Sequence, residues 1–270
     1  MRTRIASALA AAFLLTTALV VAQEKKLDCK GGGGQQNRVC EMRETGVALT
    51  GKLDVDAAPN GGITVNAWDK NEILVRARVE AWGDSEAEAK QRLGEVKVVT
   101  DGGKVKSEGP RSSTGGKWGQ QRWSVSYEIF TPRKIDLGLQ SVNGGLHING
   151  VSGNLKFETV NGGVTLAGVN GTVKGETVNG GVNVDIAGSK WEGTGLEVGT
   201  VNGGVTISVP ASFAANVSAS TVNGGLSADF EGALIDGRWG PKKVEFKAGG
   251  GGAPVKVSTV NGGVKIRKKG

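Results

Sequence analysis

The tetrad Val-Asn-Gly-Gly occurs six times in the second half of the chain, at 142–145, 160–163, 178–181, 201–204, 222–225 and 260–263. Successive intervals are 18, 18, 23, 21 and 38 residues, the last close to twice 19 with one degenerate copy between. A near-constant period of this kind marks a repeat architecture. Each unit is too small to bury its own apolar face and must stack on its neighbours.

The first copies divide into halves of nine. Val142 to Gly150 is followed by Val151 to Thr159, then Val160 to Gly168 and Val169 to Thr177. Each nonad reads as a turn and a short strand. Leu146/Ile148, Leu155/Phe157, Val164/Leu166 and Val182/Val184/Ile186 alternate with His147, Asn149, Lys156, Glu158, Thr165 and Asn183. Period-two alternation places the first set inward and the second outward. Asn-Gly is expected to supply the positive φ angles of a tight turn.

Antiparallel hairpins would also use Asn-Gly turns. They do not explain why like residues return at one phase every 18. Coils of two nine-residue halves do, so the expected fold is all-β: a flattened β-solenoid of short strands with Asn-Gly-Gly turns and a thin two-sheet core. Successive coils about 4.8 Å apart place the turn residues Asn143, Asn161, Asn179, Asn202, Asn223 and Asn261 in one structural ladder. Stacked Asn side chains can hydrogen-bond along such a ladder.

Glycine makes up 46 of 270 residues and proline only 6. That excess has no strict triplet and so excludes collagen. The chain ends on Val264-Lys-Ile-Arg-Lys-Lys269, expected as a basic strand guarding the open end of the stack. Two insertions interrupt the repeat, 187–194 around Trp191 and 232–243 around Trp239. Both are candidate binding loops, and a Trp there can equally lid the core.

Residues 45–140 read as an irregular β module continuous with the 141–270 solenoid. Asn60-Gly61-Gly62 precedes a strand from Ile63 to Trp68, and another runs from Glu72 to Val79. One short helix intrudes, with Ser85-Glu-Ala-Glu88 as capping box, Glu86/Lys90 and Glu88/Arg92 as i,i+4 pairs and Gly94 as its stop. Strands are expected again at 96–99, 103–106, 123–130 and 135–139. The polar stretch 109–121 reads as a surface loop.

The N-terminus reads as a signal peptide, residues 1–22, with Arg2 and Arg4 before an apolar run from Ile5 to Val21. A permanent anchor is the competing reading, but the run is short for a span of roughly 20 residues. Its removal takes two Arg and no acid, lowering the formal charge from +7 to +5. Lys26-Leu27-Asp28 lacks the small residues of a lipoprotein signal before Cys29. No transmembrane segment is expected once the signal is removed. Scattered charge and export make nucleic acid a poor partner.

Cys29 and Cys40 bound an N-terminal segment, residues 23–44. In an exported chain the pair reads as a disulfide across a glycine-rich loop, contributing on the order of 2–3 kcal/mol. Zinc fits neither the spacing nor the single histidine, His147.

Glu158 and Glu176 hold one phase a coil apart, and retaining glycosidases use carboxylates about 5–5.5 Å apart. Both point outward beside Lys156 and Lys174, where a solvated charge ladder is the simpler reading. His147 has no Ser or Cys partner at a suggestive spacing. No Asp follows the Gly-Gly pairs as a calcium-binding nonapeptide requires, and no helix follows them as a phosphate cradle requires. No catalytic, cofactor-binding or metal residue is expected.

The signal peptide, Cys40-Glu-Met-Arg-Glu44, Asn60-Gly-Gly62, Trp123-Ser-Val-Ser-Tyr-Glu-Ile129 and the recurrent Thr-Val-Asn-Gly-Gly form a specific combination. Over roughly 29–268 the chain resembles the "putative adhesin" β-strand-repeat family of exported bacterial proteins, a group of unknown function. The resemblance implies a β-solenoid and a periplasmic, surface or secreted location, and it carries over no site residues. The expected function is a non-catalytic, adhesin-like binding or structural module at the cell envelope, with envelope glycans or envelope proteins as partners. The rivals are an envelope-polysaccharide enzyme on a β-helix scaffold and an accessory envelope-stress sensor domain.

Overall fold

The structure, a computed structural model, describes residues 27–29, 37–110 and 122–269. The expected signal peptide, most of the Cys29–Cys40 loop and most of the 109–121 loop lie outside the described residues.

Strands β1 (Arg38–Val47), β2 (Lys52–Asp56), β3 (Ile63–Trp68) and β4 (Ile73–Trp82) precede the helix α1 (Glu86–Glu95). Then come β5 (Lys97–Asp101), β6 (Lys104–Glu108), β7 (Trp123–Pro132) and β8 (Asp136–Asn143). The repeats follow as β9 (Leu146–Asn149), β10 (Ser152–Asn161), β11 (Val164–Ala167), β12 (Asn170–Asn179) and β13 (Val182–Asp185). Next are β14 (Gly195–Asn202), β15 (Val205–Pro210), β16 (Ala215–Asn223) and β17 (Leu226–Ala228). The chain finishes with β18 (Ile235–Asp236), β19 (Lys242–Ala248), β20 (Pro254–Asn261) and β21 (Val264–Lys269).

Successive repeat strands alternate between two sheets. The first has the order β1-β4-β7-β3-β9-β11-β13-β15-β21-β17 and the second β18-β19-β16-β20-β14-β12-β10-β8-β2-β6-β5. Repeat strands pair in parallel and in phase, Val164 beside Leu146 and Val182 in the first sheet, Leu155 beside Leu137 and Val173 in the second. The inward sets form one continuous core: Leu146, Ile148, Val164, Leu166, Leu155 and Phe157 are all buried to 1% exposure or less. Phe157 fits because its neighbour on β12 is Gly175, where a Cβ would stand 2.5 Å from the Phe157 ring. This is the fold expected from the alternation, a two-sheet β-solenoid with one helix.

The order of coils departs from the sequence. β20 and β21, the last strands, lie between β14 and β16 and between β15 and β17. The Val264–Lys269 strand is therefore interior rather than an end guard. No degenerate coil stands between 225 and 260; that length forms the β18–β19 hairpin, whose β19 runs antiparallel to β16. β16 accepts the hairpin on its outer edge, so the returning chain enters on its other side. The short strands β17 and β18 now form the end edges, a common means of blunting an open sheet.

The tetrad glycines correct a second expectation. Among the described residues they do not adopt positive φ, whereas Gly150 (φ 69°) and Gly168 (φ 59°) do so at the opposite turn. The first glycine of each tetrad is there for close approach. A Cβ on Gly162 would lie 2.0 Å from Gly144 O, and one on Gly180 2.1 Å from Gly162 O.

Helix α1 begins at Ser85, whose hydroxyl accepts from Glu88 N at 3.2 Å. The return arm differs from the expected box: Glu88 Oε2 accepts from Asp84 N at 2.8 Å. Gly94 lies inside the helix, which stops at Val96 instead. Arg43 holds the carboxyl end, donating to Leu93 O at 3.1 Å and to Val96 O. That contact gives the Cys-Glu-x-Arg-Glu segment a structural role, since a cation is favoured at a helix C-terminus. Cys29 and Cys40 are joined by a disulfide.

Candidate functional site

The repeated residues build two parallel hydrogen-bond ladders along one turn of the solenoid. In the first, each Asn Nδ2 donates to the Asn Oδ1 of the coil before it. Asn143 donates to Asn60 at 2.9 Å, Asn161 to Asn143 at 2.8 Å and Asn179 to Asn161 at 2.9 Å. The chain continues from Asn202 to Asn179 at 2.9 Å, Asn261 to Asn202 at 2.8 Å and Asn223 to Asn261 at 3.0 Å. The amides therefore share one orientation, and Asn60 extends the ladder into the irregular module.

The second ladder rests on the residue two before each Asn. Thr159, Thr177, Thr200, Thr221 and Thr259 are buried. Each hydroxyl donates to the first-glycine carbonyl of the adjacent coil at 2.7 to 3.0 Å, and Ser141 does the same to Gly61 O at 2.8 Å. At the end of the stack no further Thr is available, and Lys242 Nζ takes that place, donating to Gly224 O at 3.0 Å. The recurrence of Thr in Thr-Val-Asn-Gly-Gly signalled this role; Lys242 left no sequence signal. The intervening valines face outward. Val160, Val178, Val201, Val222 and Val260 remain between 38% and 42% exposed beside the Asn ladder.

The two candidate loops separate. Trp191 is 5% exposed and its indole donates to Gly171 O at 2.9 Å, so it closes the core and offers no binding face. Trp239 is 87% exposed.

The outer face of the second sheet carries the carboxylate pair. Glu158 is opposite Glu176 and Lys156 opposite Lys174 on β10 and β12. They line an open trough of about 620 Å³ together with Glu197, Lys256 and small residues such as Gly199 and Ser258. Lys174 pairs with Glu197 at 3.3 Å. Both glutamates are exposed, so water competes for every charge on this face. At its N-terminal side Asp136 accepts from the Asn154 side chain at 3.0 Å and backbone at 2.8 Å, which holds its carboxyl below the ordinary range. His147 lies exposed on the first sheet between Thr64 and Thr165, with no Ser or Cys in register beside it. Among the described residues no group of three or more His, Cys, Asp or Glu is placed to hold a metal ion. No described helix is long and apolar enough to cross a membrane.

A family model described as Toastrack DUF4097 matches residues 26–267. The chain belongs to the Toastrack DUF4097 family. No curated protein matches it. Among solved structures, this Toastrack chain is similar to a "putative cell adhesion protein" from Clostridium sporogenes, with 16% identity and a TM-score of 0.48. That match covers 86% of this chain and 100% of the other. A "putative adhesin" from Bacteroides fragilis is similar at 10% identity and a TM-score of 0.37, covering 84% of this chain and 97% of its own.

Proposed function

We propose that this Toastrack chain is an exported, non-catalytic, adhesin-like module that presents a rigid surface to glycans or proteins of the bacterial envelope. The observation that carries the reading is the use of the motif itself. The Asn and first Gly of each tetrad, with the Thr before it (Ser141 in the first copy), are engaged with the neighbouring coil, so the repeat builds a scaffold and leaves the outward side chains as the available surface. The basic n-region and apolar run at the N-terminus support export. The Cys29–Cys40 disulfide supports an oxidising compartment.

The rival is a polysaccharide-cleaving enzyme, favoured by the register of Glu158 and Glu176 in the trough. A glycosidase acid needs a raised pKa, which burial or an enclosing site provides. The exposed faces of both glutamates beside Lys156 and Lys174 speak for a charge ladder. The test uses the chain from Gln23 onward with isolated cell-wall sacculi. It should co-sediment with them and release no reducing ends. Glu158→Gln with Glu176→Gln should leave the binding unchanged. Hydrolysis that disappears in this double variant would establish the enzyme, and failure to co-sediment would remove the envelope-glycan partner.

A further inference from the structure

We propose that the edge strand β1 pairs with β1 of a second copy of this chain, across a two-fold axis at Met42, so that the first sheets of the two copies run on as one. Four strands end the two sheets, β1 and β17 in the first, β18 and β5 in the second. β17 has three residues, β18 two and β5 five, so each offers little backbone to an incoming strand. β1 has ten, pairs with β4 at every one of them without a bulge, and contains no proline. A long, flat, regular edge is a template for another strand.

The groups at that edge follow from the bonds on its other side. Gly83 N donates to Asn37 O at 3.3 Å, while Trp82 N donates to Arg122 O at 3.0 Å, away from β1. Antiparallel pairs alternate in this way, so Val39, Glu41, Arg43, Thr45 and Val47 bond to β4. Arg38, Cys40, Met42, Glu44 and Gly46 turn their N–H and C=O groups to the free side, where no described strand pairs with them.

Charged side chains can guard an edge, and here they select the partner. β1 carries two basic residues, Arg38 and Arg43, and two acidic ones, Glu41 and Glu44, so a second copy meets no net repulsion. With the axis at Met42, antiparallel pairing sets Glu41 opposite Arg43 of the second copy, and Arg43 opposite its Glu41. Within each chain Glu41 already accepts from Arg43 at 2.7 and 3.0 Å and stays 49% exposed. The four side chains form a square in which every neighbour, along a strand or across the axis, is opposite in sign. Such cross-strand pairs stabilise a sheet. The adjacent registers lack this: an axis at Glu41 sets Glu41 against its own copy, and one at Arg43 sets Arg43 against its own, both like-charge pairs. Met42, 38% exposed, meets its own copy at the chosen axis. Arg38 then faces Gly46 and Cys40 faces Glu44, and each facing pair exchanges both backbone hydrogen bonds. An unrelated extended peptide would satisfy the backbone but not complete the square.

The test is sedimentation equilibrium of the chain from Gln23 onward, its disulfide oxidised, from about 1 μM to about 1 mM, the span of weak to moderate association. A monomer–dimer equilibrium is expected. Met42→Pro removes an N–H on the free side only, a position that an edge strand tolerates. It should weaken the dimer at least tenfold with little change in melting temperature. Glu41→Arg and Arg43→Glu should each weaken their own dimers at least tenfold, and the two variants mixed should form a heterodimer, because each Arg then faces a Glu. A mass that stays monomeric throughout, a dimer indifferent to Met42→Pro or Glu41→Arg, or no heterodimer from folded variants overturns the proposal. Met42→Pro and Glu41→Arg leave the contacts of Arg43 with α1 in place, so they decide the matter even if Arg43→Glu fails to fold. Self-association is read without any envelope fraction and stands or falls apart from the sacculus assay.

Discussion

Asn261 donates to Asn202 at 2.8 Å, across 59 residues, and accepts from Asn223 at 3.0 Å. The last coil in sequence is thus the penultimate coil in space. Its strands β20 and β21 each pair on both sides, and the final rungs of the ladder depend on them.

Deleting residues 254–270 should therefore do more than trim an end. The deletion removes Val255, Val257, Val264 and Ile266, each buried to 3% exposure or less. At about 1.5–3 kcal/mol for each side chain, the loss is about 6–12 kcal/mol, comparable to the whole stability of an ordinary domain. The β16–β19 end would also lose its support. Circular dichroism melting should show no cooperative transition for the truncated chain. A cooperative melt only a few degrees lower would mean that the coils stack in sequence order.

The two glycines of one tetrad should differ sharply. A Cβ on Gly162 would lie 2.0 Å from the Gly144 carbonyl, and one on Gly163 3.5 Å from Gly181 O, an ordinary contact. Gly162→Ala must push two coils apart and should cost more than about 4 kcal/mol, the range reserved for broken packing. Gly163→Ala should stay within about 1 kcal/mol. Urea denaturation of both variants decides it; equal losses would refute close approach as the reason for the first glycine.

The Thr ladder gives a third test. Thr177 is fully buried and its hydroxyl donates to Gly162 O at 2.8 Å. Thr177→Val keeps the shape and removes the donor, which should cost about 1–3 kcal/mol. Thr177→Ser keeps the donor and loses one methyl, about 0.8 kcal/mol. Chemical denaturation should place Ser above Val in stability. A Val variant as stable as the parent would show that the hydroxyl adds nothing.

These ladders mark how far the sequence could be read. Alternation at Leu146/Ile148 and Val164/Leu166 gave each strand its buried face, and the 18-residue phase gave the parallel register. The order of the last coils was hidden for a physical reason. Asn202, Asn223 and Asn261 sit in identical Thr-Val-Asn-Gly-Gly pentads, so any copy can stack on any other with the same local bonds. The choice is made by the β18–β19 hairpin, an edge pairing that the tetrads do not encode. The fates of Trp191 and Trp239 were equally hidden, because both stand in Gly-containing insertions. Only the path of the chain puts the first under Gly171 and the second in water. Turn chemistry misled for a related reason: glycine serves both positive φ and close approach, and a single sequence does not distinguish them.

The only tyrosine of the chain, Tyr127, supplies a spectroscopic test of the core. It is 1% exposed on β7, and burial pushes its phenol from the ordinary 10.0 up to about 12. The phenolate is the form that burial disfavours, so the unfolded chain ionises first as pH rises. Below pH 10 the group leaves stability unchanged. Between 10 and 12 it lowers folding stability by about 1.4 kcal/mol per pH unit, to a limit of about 2.7 kcal/mol. Phenolate absorbance near 295 nm should rise with a midpoint near 12 in the folded chain and near 10 in strong denaturant. Tyr127→Phe should be less sensitive to alkali by the same amount, the difference isolating this group from the titrating lysines. A folded-state midpoint near 10 would mean that water reaches the hydroxyl and that the sheets are not closed over β7.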